Sequence, residues 1–168
     1  MKNTRKGFTL VELLAVIVIL AIIMIIAIPS VLGTMTTARK KSFCEYVTKV
    51  YMAAENKYMA AQTLGTGKMG HSYTTTINGK TAYVYSVKTD LGLENVGDYE
   101  GYVGVVKPTG DMTKPIFYVA LHDSNFVLKG TSYFYEYTKE PVTDNLEDFT
   151  SEDTWKTNIG FADFAVAE

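Results

Sequence analysis

Lys6-Gly7-Phe8-Thr9-Leu10-Val11-Glu12-Leu13 (residues 6–13, KGFTLVEL) sets a carboxylate near the start of a run that stays apolar from Leu13 to Ile28. Phe8 to Ile28 is 21 residues. As a helix it is about 31 Å long at ~1.5 Å per residue, enough to cross a bilayer core of ~30 Å. A charged side chain deep in such a segment costs roughly 2.5–3.5 kcal/mol on insertion scales, and less near its edge. Glu12 therefore needs a reason to be there.

Two local reasons exist. Thr9-Leu10-Val11-Glu12 has capping-box spacing, which lets the carboxylate reach back to a free backbone N–H. An acid in the first turn also suits the positive end of the helix dipole. Both explain an acid at a helix start. Neither explains why that start adjoins sixteen consecutive apolar residues.

The flanks sharpen the question. Lys2, Arg5 and Lys6 precede the run and no acid accompanies them; Arg39, Lys40 and Lys41 follow it. A basic leader before an apolar run also describes a secretory signal peptide. That reading needs a small-x-small cleavage site, and Val31-Leu32-Gly33 is a poor one. No lipobox-like cysteine follows either. With three basic residues on each side, loop charge does not fix an orientation.

Beyond Gly7 the remaining 13 basic residues face 18 acidic ones, a net of −5. From Glu140 onward eight acids face one lysine, Lys156. That balance argues against a nucleic-acid-binding surface. The single cysteine, Cys44, excludes an intrachain disulfide and reads as a small buried apolar residue on a helix.

Pro29 removes an N–H and crowds the preceding turn, so a kink or break is expected there. Gly33, Thr34, Thr36 and Thr37 keep helix propensity low nearby. Then Phe43, Val47, Val50, Ala54, Tyr58 and Ala61 recur at three and four, one apolar stripe ending near Leu64-Gly65. The expected long helix is apolar all round in its first half and amphipathic in its second.

From Gly65 the pattern changes. Tyr73–Thr76, Asn78-Gly79 and Thr81–Val87 read as a hairpin, since Asn-Gly supplies the positive φ angles of a tight turn. Glu100–Val106, Pro115–His122 and Phe126–Tyr137 read as further strands between turn signals. Leu91–Asp98 reads as a loop or single turn. Tyr133, Tyr135 and Tyr137 alternate with Phe134 and Glu136, the pattern of a half-buried strand. Asp144 to Asp153 reads as a solvated acidic loop; it lacks the spacing and the glycine of an EF-hand. The expected fold is α+β: the long N-terminal helix packed on a C-terminal antiparallel β-sheet head. No catalytic set, cofactor-binding loop or metal-ligand cluster is expected, and His71 and His122 stand outside any known catalytic pattern.

The short basic leader ending in Lys6-Gly7, then Phe8-Thr9-Leu10-Val11-Glu12-Leu13, the apolar run and Pro29 together resemble the class III leader of type IV prepilins and pseudopilins. The resemblance covers about the first 35 residues. It implies cytoplasmic cleavage between Gly7 and Phe8 by a prepilin peptidase, and methylation of the new Phe8 amine. It implies that Glu12 serves subunit assembly, with Pro29 as a helix kink. Cleavage would remove the leader charges and leave one ammonium a helical turn from Glu12. A carboxylate in a low dielectric is tolerable when paired and heavily penalised when alone. Glu12 then marks the stagger at which one subunit's amine meets an acid. Many pilins carry a glycine inside the apolar run and lose helix there in the filament; this chain has none between Phe8 and Ile28, so Pro29–Thr37 is the candidate here.

The resulting division is leader 1–7, membrane and filament-core helix 8–28, stalk helix 29–64 and head 65–168. The function implied is that of a structural subunit, not an enzyme, in a bacterial type IV pilus. Its partners would be copies of itself in a helical filament, the prepilin peptidase, the pilus assembly platform and the cytoplasmic membrane that stores it. A surface filament of this design could serve adhesion, twitching, DNA uptake or secretion. A pseudopilin of a type II secretion or DNA-uptake system, and a membrane-anchored extracellular binding domain, are the alternatives.

Overall fold

The computed structural model describes residues 8–65, 73–93, 98–110, 114–130, 133–160 and 165–166. Gly7, the rest of the leader, His71 and residues 94–97 of the Leu91–Asp98 stretch lie outside them. Helix α1 runs Leu10–Thr63; strands follow at Tyr73–Ile77 (β1), Lys80–Ser86 (β2), Glu100–Val106 (β3), Ile116–His122 (β4), Phe126–Leu128 (β5) and Tyr135–Glu136 (β6). A 3-10 turn at Thr143–Asn145 leads to β7 (Leu146–Asp148), then α2 (Glu152–Asn158) and β8 (Ala165–Val166). The chain divides into two compact units, Met1–Arg39 and Lys40–Glu168.

Within the second unit the strands form one antiparallel sheet in the order β7-β5-β4-β3-β2-β1-β8, with β6 also on β4. The expected α+β architecture is therefore present. The hairpin forms as read: Asn78 (φ 51°) and Gly79 (φ 72°) are both left-handed, which matches the right-handed twist of β1 and β2. Helix α1 closes at Gly65 (φ 70°), whose N–H donates to the Gln62 carbonyl at 3.1 Å.

The apolar stripe of α1 packs on one sheet face. Phe43, Val47, Val50, Ala54 and Ala61 are buried with Val103, Val105, Phe117, Val119 and Leu121; Tyr58 is partly buried beside them. Cys44 is buried, as its position on the stripe implied, and burial pushes its thiol up from the ordinary value. Tyr46 joins the core too, stacked on Tyr99 at 4.2 Å.

Strand β4 is buried on both faces from Phe117 to His122. Its second face, Tyr118 and Ala120, lies in a separate core with Ile77, Ala82, Val127, Phe134, Trp155 and Ile159. Two expectations are corrected here. The acidic stretch Asp144–Asp153 is not a loop throughout: its acids are exposed, but it holds β7 and the start of α2, whose Trp155 just beyond is buried. Ser151 caps α2, its hydroxyl accepting the Thr154 N–H at 3.2 Å. Nor is Phe126–Tyr137 one strand. With β3 holding one edge of β4, β5 and β6 share the other, pairing at His122 and at Tyr118-Val119 respectively. Between them the chain turns at Gly130, where a Cβ would sit 2.2 Å from the Phe134 backbone, and at Tyr133, left-handed at φ 56°. That turn breaks the tyrosine alternation. Tyr133 and Phe134 both join the second core, while Tyr135 and Tyr137 pack on the first.

Candidate functional site

The N-terminus of α1 brings in two of the expected site residues, Phe8 and Glu12. Phe8, 90% exposed, and Thr9 precede the first helical turn. Glu12 sits in that turn, and its Oε2 accepts both the Thr9 N–H and the Thr9 hydroxyl, each at 2.8 Å. The Glu12 N–H points back to Thr9 Oγ1 at 3.3 Å. This is the reciprocal capping box that the spacing predicts. Both carboxylate contacts end on one oxygen, so the cap leaves lone pairs on Oε1 for a further donor.

Behind the cap the helix presents Leu13, Leu14 and Val16 through Ile28 with no buried residue. It is long and apolar enough to cross a membrane. Apart from the one carbonyl that Pro29 frees, its backbone bonds within the helix, which is the property a lipid-facing segment requires.

Pro29 lies inside α1, which continues through it without a break. The proline leaves the Ile25 carbonyl without its usual helical donor. Just beyond, the Thr34 hydroxyl donates to the Ser30 and Val31 carbonyls at 3.3 and 2.9 Å. Thr36 donates to Leu32 at 3.1 Å, and Thr37 to Gly33 at 3.0 Å. These threonines, weak helix formers by propensity, here saturate their own hydroxyls within the helix. Propensity alone conceals this role; the signal was their position one turn after Ser30, Leu32 and Gly33. The fold thus ties Glu12 to Thr9, the residue after Phe8, while Pro29 stands apart along the same helix. Gly7 lies outside the described residues.

Among the described residues no three His, Cys, Asp or Glu side chains cluster so as to hold a metal ion. His122 is buried, stacked on Phe149 at 4.3 Å with Trp155 edge-on at 4.3 Å. It belongs to the second core.

Residues 2–28 match the family model described as the prokaryotic N-terminal methylation motif. No curated protein matches the chain. No solved structure matches it either. The chain carries a class III prepilin leader, and that motif supports the type IV pilin or pseudopilin class. Such a leader implies processing by a prepilin peptidase and pertains to a structural subunit. With the apolar helix behind it, the leader fits membrane anchoring before assembly.

Proposed function

We propose that this protein is the structural subunit of a bacterial type IV pilus. A prepilin peptidase cuts between Gly7 and Phe8 on the cytoplasmic side, and the new Phe8 amine is methylated. The helix from Phe8 to Ile28 stores the subunit in the cytoplasmic membrane. It then becomes the shared core of an extracellular filament of identical copies, with residues from 65 onward as the displayed head.

The observation that carries this reading is the combination at the helix start. A processing motif over residues 2–28 is joined to an apolar helix left exposed among the described residues, with one acid in its first turn. Capping and assembly are compatible uses of that acid. Thr9 occupies one oxygen, and an ammonium from a neighbouring copy takes the other. An acid inside the filament core is then paired only at the correct stagger.

Mass measurement of the mature N-terminus tests the reading. An N-methylated Phe8 supports it; Thr34 as first residue indicates an ordinary signal peptide, and intact Met1 a simple anchor, and either overturns it. Glu12→Val is expected to leave membrane insertion intact and to abolish filaments, seen by electron microscopy with antibody to the head. A normal filament yield from that variant would remove Glu12 from the assembly role.

A further inference from the structure

Between Glu12 and Arg39 there is no charged side chain: Leu13–Ala38 is 26 residues. The apolar run ends at Ile28, yet of the four hydroxyl side chains in the next ten residues three are not polar in effect. The Thr34, Thr36 and Thr37 hydroxyls are spent on helix carbonyls. A hydroxyl already bonded within its helix loses far less on leaving water than a free one.

The charges resume abruptly at Arg39, Lys40 and Lys41. None of the three is ion-paired with another described residue, whereas Lys88, Lys129 and Lys156 each hold a carboxylate. Arg39 and Lys41 are exposed. Lys40 lays its ammonium over the Phe126 ring, 5.3 Å from the centroid.

We propose that Arg39, Lys40 and Lys41 bind lipid phosphates at the extracytoplasmic headgroup layer, so that the embedded helix of the stored subunit runs to Ala38. The length fits. Phe8 to Arg39 is 31 residue steps, about 46 Å along a helix at ~1.5 Å per residue, or about 44 Å at a tilt of about 20°. A bilayer with both headgroup layers is ~40–45 Å thick. The free amine and Glu12 thus lie in one headgroup layer and the basic triplet in the other. A frame centred on Phe8–Ile28 would instead leave Arg39 about 16 Å beyond the hydrocarbon.

Lipid also suits the geometry better than one protein partner. Three consecutive helical residues are turned by about 100° from each other, so they spread over about 200° of the circumference. A single facing carboxylate can meet one of them; lipids can meet Arg39 and Lys41 on the open sides of the helix and the Lys40 ammonium at the edge of the Phe126 ring. The proposal rests on the pilin reading for which side of the membrane this is.

The test uses the full chain in vesicles of phosphatidylcholine and phosphatidylglycerol, in a Cys44→Ala background. Single cysteines replace Thr34, Met35, Thr37 or Ser42, and a membrane-impermeant maleimide reports exposure. Positions 34, 35 and 37 are expected to label about tenfold more slowly than position 42 or less, as hydrocarbon and headgroups exclude the reagent. Equal labelling overturns the extended frame. Spin-labelled lipids then measure the preference for phosphatidylglycerol over phosphatidylcholine. Arg39→Gln, Lys40→Gln and Lys41→Gln are each expected to lower it by about fivefold at most, the ratio equivalent to about 1 kcal/mol per cation. An unchanged preference in the triple variant overturns the lipid contact. So does an unchanged preference with filaments lost, which would assign the triplet to a neighbouring subunit's carboxylates. The N-terminal mass of the same preparation separates failure of this proposal from failure of the pilin reading.

Discussion

One helix, α1, has two fates. From Leu10 to Arg39 every described residue is exposed. From Lys40 onward its stripe is fully buried at Phe43, Val47, Val50 and Ala54. The helix itself is continuous through both, lacking only the one bond that Pro29 cannot donate. The difference lies in where each part finds a surface to cover it. The second part finds one in its own sheet. The first has none among the described residues, so its apolar side chains are free for lipid or, under the proposed assembly, for other copies to cover. Stability of the head should therefore answer to residues after 40 and be indifferent to those before it.

Phe43→Ala should break the comparison hardest. Phe43 is fully buried and meets Tyr99 edge-on at 5.5 Å. Its loss should cost about 3–5 kcal/mol in a urea unfolding curve of the full chain in detergent. The only tryptophan, Trp155, is buried in α2 and reports the transition.

Gly101→Ala comes next. A Cβ there would lie 2.1 Å from the Ala120 carbonyl oxygen and 3.0 Å from Leu121 Cα, both backbone atoms of β4. Neither can swing aside, so β3 and β4 must part locally. The same curve should lose about 3 kcal/mol. A near-neutral result would mean that the sheet accommodates a change which the helix–sheet contact does not.

What was legible in the sequence divides along the same line. Features fixed by neighbours in the chain could be read: the stripe at three and four, the Asn78-Gly79 turn, the Thr9–Glu12 cap. Features fixed across the sheet could not. Gly130 matters because the Phe134 backbone passes beside it, and β6 exists because an edge of β4 lies free there. Helix α2 was hidden by composition. Glu152 and Asp153 suggested solvent, while Trp155 and Ile159, one turn apart, were the buried pair. Thr34, Thr36 and Thr37 looked like weak points because propensity does not register a hydroxyl bonded back to its own helix.

Acid should act on the head through His122. Burial holds its imidazole below the ordinary histidine value, against smaller opposing effects of the Asp123 carbonyl and of the Glu100, Glu152 and Asp123 carboxylates. Its Nδ1 lies 3.3 Å from that carbonyl, and Nε2 has no partner among the described residues. Because the folded value is depressed, the unfolded chain takes up the proton first. The stabilisation is present above about pH 6.5 and is lost as pH falls from there through the folded value. Unfolding free energy should therefore drop as the pH is lowered from about 6.5, and less so in His122→Phe. An equal drop in both would assign the acid sensitivity to the carboxylates around α2.

The smallest expected effect is the most informative. Ile17 is 53% exposed in a stretch with no buried neighbour. Ile17→Ala should shift the head's unfolding in detergent by less than about 0.5 kcal/mol, the scatter of surface substitutions, although it removes more apolar bulk than many core changes do. Under the proposed assembly the same substitution leaves a gap wherever copies pack, and should lower filament yield while the head stays intact. A large loss of head stability would mean that residues before 40 are covered by their own chain in solution. The need for lipid or for neighbouring copies, from which the membrane placement and the assembly role both follow, would then disappear.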